Sequence, residues 1–183
     1  MKKNQKRRGY IDWDETFMLM THLIANRSKD PNTQTGACIV DNNNIVVGLG
    51  YNGFPRGCSD EELPWNREGE TLEAKYAYVV HAEANAIMNS NIKVKGCRIY
   101  VNLFPCNECA KMIIQNGIKE VIYESDKYKD VDIFKASRKM LEMAGVRLRQ
   151  YNTKNDLNIK EKNINEKNLG TGGGDCQWQR NGG

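Results

Sequence analysis

Apolar positions along the chain follow two different periods. From Asp12, Trp13, Phe17, Met20, Leu23 and Ile24 recur at three- and four-residue spacing, which predicts an amphipathic helix packing that stripe on a core. Ser28-Lys29-Asp30-Pro31-Asn32 ends it, because proline and the residue before it disfavour helix. Residues 36–40 and 45–50 read as two strands joined across Asp41-Asn42-Asn43-Asn44, a hairpin. Residues 51–75 carry Gly53, Pro55, Gly57 and Pro64 without a period, and a loop of that length inside a compact domain is usually functional or disordered. Beyond it helix and strand alternate. Residues 82–91, 106–116 and 133–144 are helical, the last two closed by Gly117 and Gly145, and 98–101, 121–123 and 146–148 are strands. A hairpin followed by this alternation implies an α/β fold, a mixed five-stranded sheet, parallel in its later half and covered by helices.

The 183 residues suit one domain with extensions. Residues 1–9 form a basic, flexible head, 10–151 the folded body, and 152–183 a tail whose seven Asn and six Gly predict disorder. The net charge of +4 suggests a polyanion partner, but five of the 27 basic residues fall in the first eight positions. Residues 9–151 hold 17 basic against 19 acidic residues, so the body lacks the excess of a domain that tracks a phosphate backbone, and nucleic acid is not expected as a partner. The basic head reads as solubilising disorder, with a targeting or polyanion-binding arm as the alternative. No run approaches the roughly 18 apolar residues of a membrane span, and no apolar stretch follows the head as in a secretory signal. A cytoplasmic protein with reduced thiols is expected.

Of six cysteines, Cys38 and Cys97 lie in apolar runs and read as core thiols, while Cys58 sits ambiguously in the long loop. Cys106 and Cys109 share one turn at the start of a predicted helix, and His81 precedes another. One imidazole and two thiolates make a three-ligand zinc set with the fourth position open to water, as in catalytic sites. Zinc lowers the pKa of such a water toward about 7. Helix N-termini at the site favour the thiolates. Glu83, two residues after His81, is placed to take a proton from water and pass it to substrate. The order His-x-Glu then Pro-Cys-x-x-Cys is the signature of zinc base deaminases. A closed structural site with Cys58 as fourth ligand is the competing reading, and His22, the other histidine, reads as packing or surface.

Beyond these motifs the chain resembles the deoxycytidylate (dCMP) deaminase family, most closely its eukaryotic-type branch. The resemblance runs through Ser28-Lys29-Asp30-Pro31-Asn32, residues 36–40, Gly50-Tyr51-Asn52-Gly53-Phe54-Pro55-Arg56-Gly57-Cys58-Ser59-Asp60, Leu63-Pro64-Trp65, His81-Ala82-Glu83, Asn85 to Asn89, residues 104–111 and Ser125-Asp126-Lys127-Tyr128, over about residues 12–150. It implies a cytidine-deaminase-like three-layer fold and hydrolysis of dCMP to dUMP and ammonia, feeding dTMP synthesis. It assigns catalytic Zn2+ to His81, Cys106 and Cys109, and the proton shuttle to Glu83. Gly50, Asn52, Gly53, Phe54 and Arg56 resemble an effector loop, where dCTP activates and dTTP inhibits with Mg2+; the bland alternative is a linker. Asn52, whose amide both donates and accepts, is the first candidate for the base or sugar, followed by Arg27, Ser28, Tyr123 and Lys127. The family is typically a homohexamer. The second, structural zinc of phage-type members needs further histidines and is not carried over. Two rivals share the zinc core: a polynucleotide base deaminase, which needs a basic, aromatic groove, and a non-catalytic zinc module, which tolerates loss of Glu83.

Overall fold

Side chains alternate between the two faces of a strand, so runs such as 36–40 and 98–101, apolar at nearly every position, require cover on both faces. The computed structural model, which describes residues 6–159, provides it. Strands β1 (Gly36–Val40), β2 (Val46–Tyr51), β3 (Arg98–Leu103), β4 (Glu120–Ser125) and β5 (Arg147–Gln150) form one sheet in the order β2-β1-β3-β4-β5. β1 pairs antiparallel with β2 and β3, while β3, β4 and β5 run parallel. The parallel pairs require crossovers, supplied by α3 (Asn107–Gln115) and α4 (Asp132–Met143). Helices α1 (Trp13–Ala25) and α2 (Ala82–Met88) complete the framework, and two 3-10 turns, Thr71–Glu73 and Lys75–Ala77, lie in the long loop.

Ala37, Ile39, Ile99, Val101 and Val121 meet Ala82, Ala86, Ala110, Ile113 and Leu141 of α2, α3 and α4 on one face. Cys38, Val40, Tyr100 and Ile122 meet Phe17 and Met18 of α1 on the other. The result is the expected three layers. Cys38 and Cys97 are buried core thiols, and burial pushes Cys38 up to about 12.

The face of α1 differs from its apolar stripe. Phe17, Met18, Thr21 and Ala25 are buried together with Glu15, whereas Trp13 and Leu23 are 58% and 51% exposed. Polar residues occupy the inward face because each has a partner there. Thr21 Oγ1 donates to the Phe17 carbonyl. Glu15 accepts from the Tyr151 hydroxyl at 2.8 Å, from the backbone N–H groups of Lys154 and Asn155, and from Asn155 Nδ2 at 2.7 Å. Thr153 is tied to Glu124 as well. A buried carboxylate thus holds the chain beyond β5 as far as Asn155. Residues 1–5 and 160–183, with Cys176 and Trp178, lie outside the described residues.

Burial alone raises the Glu15 carboxyl, but the bonds from Asn155, Tyr151 and Lys154 outweigh it and hold the group below its ordinary value. A depressed carboxyl stabilises the fold fully above its unfolded pKa of about 4.3, and that contribution fades as pH falls through the lower folded value. Glu15→Gln is thus expected to lose about 1–3 kcal/mol near pH 7, since one amide oxygen cannot accept what two carboxylate oxygens accept. Denaturant titrations of both proteins should show the gap closing below about pH 4.

Candidate active site

Two helix N-termini, one entered from the long loop and one from β3, build the site. His81 is the N-cap residue of α2 and Cys106 that of α3, and neither side chain caps its own helix. Both turn toward each other instead. His81 Nδ1 lies 3.3 Å from Cys106 Sγ and 3.4 Å from Cys109 Sγ, and the three donor atoms sit within 4.8 Å of one another. A nitrogen and two sulfurs so placed fit a tetrahedral zinc ion. No fourth His, Cys, Asp or Glu joins the group among the described residues, and Cys58 is exposed, which favours the open site over the closed one.

The three donors compete for protons. Cys106 is drawn down to about 4, first by the hydrogen bond from Cys109, then by His81 against the opposing effect of burial. His81 rises to about 9 through its bond to Cys106, again against burial. Cys109 is held well above the usual thiol range by Cys106 and by burial. Ligand sets of this kind exchange protons for a divalent cation. Glu83, in the first turn of α2 and 4% exposed, is pushed up by burial despite the pull of His81.

The arrangement holds because α2 is fastened to β2. A Cβ on Gly50 would lie 2.2 Å from the Ala86 nitrogen and 2.3 Å from the Ala82 carbonyl, so glycine there permits helix and strand to touch. That packing accounts for Gly50 without any ligand. Asn85 and Asn89 donate to the Tyr51 and Leu49 carbonyls. Gly53 pairs with Val80 in an isolated bridge, tying the loop to the residue before His81. Arg56 is exposed and donates to Asn89 Oδ1, and Phe54 packs at a tilt on Trp65 with ring centroids 4.0 Å apart.

A cavity of about 390 Å³ opens over the ligand set. His81, Glu83, Cys106 and Asn52 line it. Asn52, however, is committed to the scaffold. Its amide donates to Asp30 and to the Thr33 carbonyl and accepts from the Thr35 N–H, leaving one acceptor lone pair. Ser28 Oγ donates to the Asn52 carbonyl from behind. Arg27 is exposed, and neither it nor Ser28, Tyr123 or Lys127 is among the lining residues. Tyr123 packs edge-on behind Phe104 with centroids 4.8 Å apart, and Lys127 lies over the Tyr128 ring at 5.0 Å. His22 pairs with Glu124 at 2.9 Å, at the surface.

Sequence reading missed Asp30, Lys75, Arg67, Tyr76 and Tyr128 as cavity residues. Asp30 accepts from Asn32, Thr33 and Asn52 and forms a buried ion pair with Lys75. Burial raises the Asp30 carboxyl, but Lys75 and the backbone donors overcome it and hold it below its usual value. Lys75 and Asp30 are 45 positions apart, and no local pattern announces the pair. A lysine and a tyrosine at the end of an apparently structureless loop were the available signal.

Residues 11–125 match the family model for the cytidine and deoxycytidylate deaminase zinc-binding region. The human deoxycytidylate deaminase is 60% identical over 149 residues, spanning 80% of this chain and 84% of the relative. A probable deoxycytidylate deaminase of Drosophila melanogaster is 53% identical over 156 residues, with 81% and 77% covered. The crystal structure of dCMP deaminase from cyanophage S-TIM5 in complex with dCMP and dUMP superposes with a TM-score of 0.61 at 27% identity, covering 75% of this chain and 95% of that one. Fold and ligand set define a zinc-dependent deaminase. The chain belongs to the cytidine and deoxycytidylate deaminase family.

Proposed function

We propose that this protein hydrolyses dCMP to dUMP and ammonia. The observation that carries the reading is the His81, Cys106 and Cys109 cluster, opening with Glu83 on one cavity, in a chain whose relatives are named for that activity. A zinc ion held by His81, Cys106 and Cys109 supplies Lewis acidity that makes water a usable nucleophile near neutral pH. The Glu83 carboxylate accepts a proton from the attacking water and delivers it to the pyrimidine, so that the amino group departs as ammonia. Phe104 and Leu103 line the apolar side of the cavity and limit solvent around the base. Asn52, fixed by Asp30, Thr33 and Thr35, presents its remaining lone pair to the sugar or base.

Regulation belongs to the same reading. dCTP activates and dTTP inhibits, with Mg2+ accompanying the triphosphate at residues 50–57, in a homo-oligomer with hexameric assembly. The bridge from Gly53 to Val80 and the bond from Arg56 to Asn89 support it, since the first ties this segment to the residue before His81 and the second to the C-terminal end of the helix that follows. A triphosphate alters activity only by favouring one of two states of the assembly. Saturation with dCMP should be sigmoidal alone, nearly hyperbolic with dCTP, and displaced to higher substrate with dTTP. Arg56→Ala should weaken both responses while saturated turnover stays near that of the wild type. Hyperbolic kinetics indifferent to both triphosphates, with magnesium present, would remove the effector role.

A further inference from the structure

The cavity holds two cations with different surroundings. Lys75 is buried and already neutralised by Asp30, and it lies close enough to the ligand set to act on the charge of His81. Arg67 is exposed at the mouth, and no carboxylate pairs with it among the described residues. Arg67 Nε donates to the Tyr76 hydroxyl at 3.3 Å, and Tyr128 lies near the same guanidinium. Tyr128 is itself braced by Phe134, with ring centroids 5.3 Å apart. A guanidinium with unspent donors, flanked by two phenols, is suited to a dianionic phosphate monoester, which takes directed bonds from several sides.

We propose that Arg67, with Tyr76 and Tyr128, is the subsite that recognises the 5′-phosphate of the nucleotide and so sets the preference for a monophosphate over a nucleoside. This rests on the reading that the protein deaminates dCMP. A base at Glu83 and the ligand set occupies the inner end, so the phosphate of a mononucleotide extends toward the mouth, where Arg67 stands. A cavity of about 390 Å³ falls within the usual span for small-molecule sites. Lys75 is the poorer candidate because its charge is already matched.

The test compares zinc-loaded wild-type, Arg67→Ala, Arg67→Lys and Tyr128→Phe proteins on dCMP and deoxycytidine, without triphosphates. Arg67→Ala should raise KM for dCMP about 10- to 100-fold, change kcat little, and cut the selectivity ratio for dCMP over deoxycytidine by a similar factor. Arg67→Lys should recover part of the ratio, and Tyr128→Phe should lose less than Arg67→Ala. Inorganic phosphate should compete with dCMP on the wild type and much more weakly on Arg67→Ala. An unchanged ratio in Arg67→Ala, or an equal loss on both substrates with zinc content and circular dichroism intact, overturns this assignment alone. Wild-type protein inactive on dCMP fails the reading beneath it and this one with it.

Discussion

Glu83→Gln is expected to retain fold and metal while losing deaminase turnover by about 10²- to 10⁴-fold or more, the contribution usual for a general acid–base group. Glutamine keeps the size and most of the hydrogen bonding of the side chain, but it does not carry a proton from water to substrate. The position explains why the loss falls on chemistry. Glu83 is buried in the first turn of α2, on the cavity wall, two residues beyond His81. Metal content, thermal unfolding and single-turnover kinetics on dCMP separate the possibilities. Normal turnover in Glu83→Gln would mean that another group moves the proton. Loss of metal together with turnover would make Glu83 a structural residue.

Cys106→Ala and Cys109→Ala should each lose the metal, about one zinc per chain in the wild type, and with it all but traces of activity. Both thiols are buried and packed against His81, so either change leaves two donors where three are needed. Affinity in the wild type should fall with falling pH, because the ligand atoms bind zinc only after giving up their protons. Metal analysis after dialysis against a chelator provides the measurement. Full zinc retained in both variants would show that the ligand assignment is wrong.

Much of this architecture follows from local pattern. Residues 36–40 and 99–101 are so continuously apolar that cover by helices was legible, and Gly117 and Gly145 mark helix ends where positive φ is required. His81, Glu83, Cys106 and Cys109 were legible because zinc deaminase chemistry constrains residue type and spacing together. What escaped was decided by partners distant in sequence. Glu15 and Thr21 look like surface residues of α1, yet Glu15 is buried because Tyr151, Lys154 and Asn155 supply its donors. Lys75 is buried because Asp30 waits for it. Arg67 carries no motif at all; its place beside Tyr76 and Tyr128, at the cavity, exists only once the loop is folded. Gly50 likewise meets a requirement that no local pattern shows, since α2 approaches so closely that a Cβ has no room there.

The central claim is tested most directly by following ammonia and nucleotide products with the zinc-loaded full chain, offered dCMP, CMP, deoxycytidine and a cytosine-containing single-stranded oligonucleotide. The account predicts equal amounts of dUMP and ammonia from dCMP, at a rate far above that on the oligonucleotide. Deamination of the oligonucleotide with dCMP left intact would contradict it.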